Sequence, residues 1–159
     1  MTKAITGGCQ CGAVRYRIEG PLGDAGFCHC RMCQKAFGSF GAPLVSAPIS
    51  ALTWTRGKPS EFRSSPIVAR GFCANCGTPL YMLEDGWPVY ELAIGSLDDP
   101  AAAAPTHVVG TESKLPWADS LPTLPGHSTA DDRTPDDLKK LRSLQHPDHD
   151  TTEWPPRKG

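Results

Sequence analysis

The sequence predicts a mainly β protein with little helix, and three observations support that class. The 159-residue chain contains 16 glycines and 16 prolines, a composition that favours turns and short strands over long helices. Val14, Tyr16 and Ile18 alternate with Arg15 and Arg17, which is the period-two pattern of a half-buried strand. The other apolar runs are short and separated by turn sequences. A chain of this length can form one domain with a hydrophobic core.

The remaining strands are predicted as short segments between turns. Residues 89–94 are apolar enough for a central strand. Residues 52–55 and 61–63 are predicted to pair as a hairpin, because the sequence RGKP between them is turn-forming. Further short strands are predicted at 44–47, 80–83 and 107–109, with a turn at 84–86 and a helical turn at 101–104. Residues 66–72 lead into the last cysteine pair.

Other helical structure is expected in two places. Residues 28–37 are predicted to form a knuckle-like loop that continues as one helical turn through Gln34 and Lys35. Thr134 is a candidate N-cap before Pro135, so a short helix over 135–145 is predicted. After His127 the composition shifts towards polar residues. We therefore divide the chain into a domain at 1–127 and a polar tail at 128–159, which is expected to be loose beyond its helix.

Charge and hydropathy exclude several classes of function. The net charge is −1 and there is no basic run, so nucleic acid is not an expected partner. No apolar stretch approaches 18 residues, so no membrane span is predicted. The N-terminus lacks the apolar core of a secretion signal. We therefore expect a cytoplasmic protein, in which clustered cysteines more often bind metal than form disulfides.

All seven cysteines fall into short-spaced clusters, which predicts metal binding. Four thiolates can close a tetrahedral site, whereas three leave a metal with one vacant position. A closed site stabilises a fold, and an open site can take part in chemistry. The three clusters are Cys9 and Cys11, then Cys28, Cys30 and Cys33, then Cys73 and Cys76.

The first and last clusters are predicted to share one structural zinc ion. Cys73 and Cys76 are separated by two residues and followed by glycine, as in a zinc knuckle. Cys9 and Cys11 also precede a glycine and a strand, which makes them the natural partners. A zinc bridge across this long loop would restrict the unfolded chain strongly. Cross-paired disulfides are the main alternative.

The middle cluster is predicted to be an open, labile site. Cys28, Cys30 and Cys33 can occupy one face of a tetrahedral ion, which leaves the fourth position for a ligand. His29 lies between two ligating residues, so its side chain is expected to point away; His107 is a second candidate fourth ligand. Three thiolates make zinc a weak activator of water, so a thiol is the better guest. Alternatives are a site that stays empty without substrate, or a redox pair with a spare thiol.

Three basic residues lie near these clusters in the sequence. Arg31 and Lys35 flank the middle cluster, and Arg70 precedes the last one. They could offset the negative charge of the thiolates and attract a ligand that carries a carboxylate. The alternative is an ordinary positive surface exposed to solvent.

Three segments together resemble a known family. They are GGCQCGAVRY at 7–16, CHCRMCQK at 28–35 and RGFCANCGTPL at 70–80. In this order they resemble the glutathione-dependent formaldehyde-activating enzyme family, which also includes centromere protein V. The segments PTHVV at 105–109 and SKLPW at 113–117 resemble its C-terminal part, so the likeness covers about residues 4–125. The tail after His127 has no counterpart in it.

The resemblance implies a fold, metal sites and an activity. The implied fold is a tent-like arrangement of small antiparallel sheets around zinc. The implied ligands are Cys9, Cys11, Cys73 and Cys76 for a structural zinc, and Cys28, Cys30 and Cys33 for a catalytic zinc. The implied activity is that of a carbon–sulfur lyase, which joins glutathione and formaldehyde to give S-(hydroxymethyl)glutathione. Another thiol or aldehyde fits the same site logic.

The sequence also leaves a second function open. Both metal sites would then be structural, and the chain would be a non-catalytic zinc-binding interaction or scaffold module. The middle cluster distinguishes the two hypotheses, because only a catalytic site needs a vacant position. In the enzyme hypothesis water supplies the final proton, with His29 and His107 as further candidates.

Overall fold

The computed structural model describes residues 4–154, which form two β-sheets with little helix. The strands of this region are β1 (Ile5–Gly8), β2 (Arg15–Ile18), β3 (Ala25–Cys28), β4 (Ala42–Pro48), β5 (Leu52–Arg56), β6 (Ser60–Arg63), β7 (Val68–Phe72), β8 (Pro79–Glu84), β9 (Val89–Ala93) and β10 (His107–Val109). Its helices are α1 (Arg31–Phe37), α2 (Pro135–Lys140) and the 3-10 turns Ile49–Ala51, Ile94–Ser96, Pro100–Ala103, Thr111–Ser113 and Ala118–Thr123. None of these helices is long and apolar enough to cross a membrane.

The two sheets differ in size. The smaller one has the strand order β1-β2-β5, and the larger one has the order β10-β3-β4-β9-β8-β7-β6. All pairs are antiparallel except β10, which joins β3 in parallel. The predicted mainly β class is thus confirmed. The strand predicted at 89–94 lies inside the larger sheet, between β4 and β8.

The predicted hairpin of residues 52–55 and 61–63 is wrong. Both strands exist, but β5 pairs with β2 in the smaller sheet and β6 pairs with β7 in the larger one. The physical reason lies in the side chains of β5. Trp54 stands opposite Tyr16, with the two ring centroids 5.7 Å apart, and this packing holds β5 against β2. The chain crosses between the sheets at the predicted turn.

The main hydrophobic core is built from residues of both sheets. Tyr16 and Ile18 of β2 are fully buried, as are Leu80 of β8 and Leu92 of β9. The Tyr16 hydroxyl lies 2.7 Å from Ser96 Oγ, so the buried phenol has a hydrogen-bond partner. This core fixes the position of β7, β8 and β9, which form part of the site described below.

The tail is more ordered than the sequence predicts. The helix begins as expected, with Thr134 Oγ1 accepting a hydrogen bond from the Asp137 backbone amide, but α2 ends at Lys140 rather than at residue 145. The predicted loose tail is wrong for residues 146–154. His146 is buried and its backbone N–H donates to the Gln10 carbonyl at 2.9 Å.

Two further contacts bind this segment to the rest of the fold, one at the first cysteine pair and one at β2. The Trp154 indole N–H donates to the Cys11 carbonyl, and the rings of His146 and Trp154 meet at 4.8 Å. Asp150 accepts a hydrogen bond from the buried Arg15 at 2.8 Å. Gly12 permits this approach, because it offers no side chain between the backbone and the two rings. We call residues 146–154 the tail clasp. The domain boundary at residue 127 stays a prediction.

Candidate functional site

The structure brings the seven cysteines together in two clusters that could hold metal ions. All seven thiols are free of disulfide bonds. Within each cluster the sulfur atoms lie within 4.8 Å of one another. The four-cysteine cluster contains Cys9, Cys11, Cys73 and Cys76, and the three-cysteine cluster contains Cys28, Cys30 and Cys33.

The four-cysteine cluster joins two turns from distant parts of the chain. Cys9 and Cys11 follow β1, and Cys73 and Cys76 lie between β7 and β8. In the second turn, the Gly77 N–H donates to the Cys73 carbonyl at 2.8 Å. Backbone amides also reach the sulfurs, since Val14 N lies 3.2 Å from Cys9 Sγ. Both turns therefore present their thiols towards one point.

The sulfur spacing fits a tetrahedral ion. Cys11 Sγ lies 3.6 Å from Cys9 Sγ and 3.8 Å from Cys73 Sγ. An ion with metal–sulfur bonds of about 2.3 Å holds its ligands about 3.8 Å apart. Burial alone would raise the pKa of Cys76, but hydrogen bonds with Thr78 and Cys11 together outweigh it and lower that pKa to about 6. The cluster therefore already favours one thiolate.

The three-cysteine cluster forms where β3 meets α1. Cys28 ends β3, and Cys30 is the N-cap of α1, with its sulfur 3.4 Å from the Cys33 amide. Cys33 is 1% exposed on the inner face of the helix. The helix is longer than the single turn that the sequence predicts. It has seven residues, and Gly38 follows it as the C-cap in a left-handed backbone conformation. This helix brings three sulfurs together at the start of one element.

The two histidine candidates are placed differently. His29 is 5% exposed and its ring packs on Phe27 at 4.9 Å, while its Nδ1 has no hydrogen-bond partner among residues 4–154. His107 lines the cavity next to the three sulfurs. Within the described residues neither histidine joins the sulfur cluster, so it offers three ligands and not four.

Arg70 is the basic residue that contacts the cluster. Its Nη1 and Nη2 lie 3.6 and 3.5 Å from Cys33 Sγ, and the residue is 7% exposed. Burial raises the pKa of Cys33, and the hydrogen bonds and charge of Arg70 oppose that rise. Arg31 and Lys35 are exposed and line an open groove beside α1. Of the two alternatives, the solvated positive surface does not hold for Arg70, which lies beside the sulfur of Cys33.

A cavity of about 450 Å³ opens beside the three sulfurs. Burial raises the pKa of Cys28 at this cavity to about 12, so without a metal or a cationic partner its thiol stays protonated at neutral pH. The other walls come from strands, loops and helix α1, in segments far apart in the sequence. They include Asp24, Met32, Glu84, Trp87 and Glu91.

Sequence reasoning missed the acidic wall of this cavity. Glu91 accepts a hydrogen bond from Ser46 Oγ at 2.6 Å, because β9 and β4 place these residues opposite each other. Met82 stands on the other side of Glu91 in the register of β8 and β9. No local motif joins these positions. Only the pairing of the strands could have found them.

Three comparisons relate this chain to known proteins. The family model described as "Glutathione-dependent formaldehyde-activating enzyme" matches residues 4–113. A protein of Halomonas elongata named "Putative glutathione-dependent formaldehyde-activating enzyme" is 26% identical over 126 residues, which are 72% of this chain and 80% of that protein. A crystal structure of a Rhodobacter sphaeroides protein has a similar fold, with a TM-score of 0.54 and 24% identity over 65% of this chain and 99% of that one.

Proposed function

The chain belongs to the glutathione-dependent formaldehyde-activating enzyme family, and from that premise we propose a zinc-dependent carbon–sulfur lyase-type enzyme. It joins glutathione to formaldehyde and forms S-(hydroxymethyl)glutathione. The observation that carries the proposal is the unequal division of the sulfurs. One cluster has four ligands, and the other has three ligands beside a cavity. Free thiols favour a reducing, cytoplasmic location.

The four-cysteine cluster is proposed to hold the structural zinc. Its two turns belong to different sheets, since β1 lies in the smaller sheet and β7 and β8 in the larger one. An ion bound to Cys9, Cys11, Cys73 and Cys76 would therefore tie the two sheets together. Such a link restricts a loop of about sixty residues, which stabilises the folded state.

The three-cysteine cluster is proposed to be the catalytic site, with Cys28, Cys30 and Cys33 as ligands. These three residues would hold a zinc ion, which would supply a Lewis acid that favours a bound thiolate over a thiol. The residues around it define how a substrate approaches. Trp87 and Met32 provide apolar walls, and the cavity has the volume for a small peptide-like molecule. The protein therefore holds the substrate sulfur beside the aldehyde carbon.

The proposed reaction is balanced without any oxidant or reductant. The sulfur lone pair of the thiolate forms the new bond to the carbonyl carbon. The electron pair of the C=O double bond moves to oxygen, which then takes one proton from water or from a nearby acid. Of the two histidine candidates, His107 lines the cavity, whereas the ring of His29 packs on Phe27. His107 is the better placed donor.

The proposal is tested with the matched variants Cys30→Ser and Cys76→Ser. Both cysteines are partly exposed, and each variant removes one sulfur from one cluster. Cys30→Ser should lose one zinc per chain and the thiol-dependent turnover, while its melting temperature changes little. Cys76→Ser should lower the melting temperature strongly. Turnover is followed by NMR as the rate at which formaldehyde and glutathione exchange with the product.

Metal content tests whether a thiol completes the second site. One zinc ion per chain that becomes two when glutathione is added agrees with a ligand-completed site, whereas two zinc ions without glutathione show two occupied sites under either function. One zinc ion that is indifferent to thiols would contradict the proposal. A Cys30→Ser variant as unstable as Cys76→Ser, with unchanged exchange rates, would favour a structural role for both clusters.

A further inference from the structure

Arg70 is a buried cation whose contacts are unusual. It lies in the middle of β7 with 7% of its surface exposed. Its Nε donates to Ser64 Oγ at 3.1 Å, and both terminal nitrogens reach Cys33 Sγ. Among residues 4–154, no carboxylate oxygen lies within 4.0 Å of the guanidinium nitrogens of Arg70. The Cys33 sulfur therefore stands where a carboxylate would usually face a buried guanidinium.

A buried guanidinium without an anion is costly, because both charge and donors lose water. In the folded chain this cost is offset if the facing sulfur is a thiolate. Cys33 is 1% exposed, so solvent screens the interaction weakly. The two terminal nitrogens point at the same sulfur, which fixes the guanidinium plane relative to the cluster.

Charge counting shows what this contact does for the site. A divalent ion with three thiolates has a net charge of −1, and Arg70 brings the group to zero. An incoming thiolate then changes the charge from zero to −1, whereas without Arg70 the change is from −1 to −2. A neutral ligand leaves the net charge unchanged, whether Arg70 is present or not. The acidic wall of Asp24, Glu84 and Glu91 adds further negative charge to the cavity, so the buried cation matters more.

We propose that Arg70 is a positioning residue that selects an anionic sulfur, rather than a neutral ligand, as the fourth ligand of the three-cysteine cluster. The inference rests on the proposed function only in that it requires a metal at this cluster. It acts through Cys33 and does not require Arg70 to touch the substrate. The same cluster without this cation would discriminate less between a thiolate and an imidazole.

The test uses the full chain with cobalt(II), whose visible absorption reports its ligands. The probes are 2-mercaptoethanol, which binds as a thiolate, and imidazole, which binds as a neutral ligand; neither carries a carboxylate. Dissociation constants are measured for the wild type, Arg70→Met, Arg70→Lys and the control Arg63→Met. Arg63 is exposed on neighbouring β6 and pairs with Asp85, so the control removes an equal charge away from the sulfurs.

Arg70→Met should weaken thiolate binding at least about tenfold and imidazole binding much less, because a nearby unit charge acts mainly on the anion. Arg70→Lys should restore most of the preference, and Arg63→Met should keep it. If Arg70→Met lost affinity equally for both probes, or lost none for either, the inference would be overturned. Loss of metal from this cluster alone in Arg70→Met supports it if Arg70→Lys restores the metal, and overturns it otherwise.

The outcome is separable from the proposed function. No aldehyde is present, so the ratio of the two dissociation constants is measured whether or not the chain condenses formaldehyde with glutathione. Failure of turnover with an intact thiolate preference would contradict the proposed reaction alone. Normal turnover with no effect of Arg70 on the preference would contradict this inference alone.

Discussion

Two glycines allow the contribution of the tail clasp to be measured in isolation. Gly12 and Gly77 each follow a cysteine of the four-cysteine cluster, and their φ angles are 72° and 76°. A Cβ at Gly77 would meet nothing within 4 Å. A Cβ at Gly12 would overlap the rings of Trp154 and His146. Alanine therefore imposes the same backbone strain at both positions and displaces the clasp at only one.

The expected losses of stability follow from the backbone strain and from the displacement of the tail clasp. A left-handed conformation costs an alanine about 1–2 kcal/mol, and this cost applies to both variants. Gly12→Ala should lose about 2 kcal/mol more, which corresponds to partial exposure of Trp154 and His146. For a chain of this size the additional loss lowers the melting temperature by about 4–8 °C.

The assay is thermal denaturation of the zinc-loaded full chain at one fixed zinc concentration, because bound metal shifts the midpoint. Trp154→Ala completes the cycle, since Gly12→Ala should cost less when Trp154 is already absent, whereas Gly77→Ala should cost the same. Equal midpoints for the two glycine variants would refute the reasoning. So would an excess loss that Trp154→Ala leaves unchanged.

Three further predictions concern the core, the buried ion pair and the metals. Tyr16→Phe removes the hydrogen bond to Ser96, so the unfolding free energy measured in urea should fall by about 1 kcal/mol while turnover stays unchanged. A clear change in turnover would contradict this prediction. Asp98→Asn should cost about 2 kcal/mol near pH 7, because Arg15 loses the more buried of its two carboxylate partners and keeps only Asp150. Burial would raise the pKa of Asp98, but hydrogen bonds from Arg15 and Thr6 outweigh it and lower that pKa. The difference in unfolding free energy between Asp98→Asn and the wild type should therefore shrink below pH 3.8, where the wild-type carboxylate becomes protonated. Acid titrations of stability measure this difference, and a constant value would contradict the prediction. A chelator should remove metal from the three-cysteine cluster before it removes metal from the four-cysteine cluster. A time course of metal content measures this order, and the reverse order would contradict the prediction.

Features that depend on neighbouring residues could be predicted from the sequence. The cysteine spacings limit which thiols can reach a common point, and both clusters are found with that grouping. The period-two pattern around Tyr16 correctly indicated β2, and Thr134 with Pro135 correctly indicated the start of α2. The strand, the helix start and the spacing within each cysteine motif are local signals. The pairing of the first and last motifs rested instead on their shared cysteine–glycine pattern.

Features that depend on strand pairing could not be predicted. The turn between β5 and β6 has the sequence of a hairpin, yet the partner of β5 is decided by Trp54 packing on Tyr16. The cavity wall has the same origin, because Glu91 meets Ser46 only through the register of β4 and β9. The tail clasp depends on Gly12, whose missing side chain has no effect on the local pattern around it.

Strand β7 links the two clusters, which limits how independently they can act. Arg70 contacts Cys33 of one cluster, and three residues later the same chain reaches Cys73 of the other. The register of β7 with β8 holds Arg70 opposite Met82, and the turn that contains Cys73 and Cys76 joins these two strands. Loss of the four-cysteine metal would loosen that turn and with it the position of the guanidinium. A fall in turnover in Cys76→Ser is therefore expected even if that cluster has no part in the chemistry. A fall in turnover in Cys76→Ser therefore does not by itself assign a catalytic role to the four-cysteine cluster, and the melting temperature and the metal content of both variants are needed beside it.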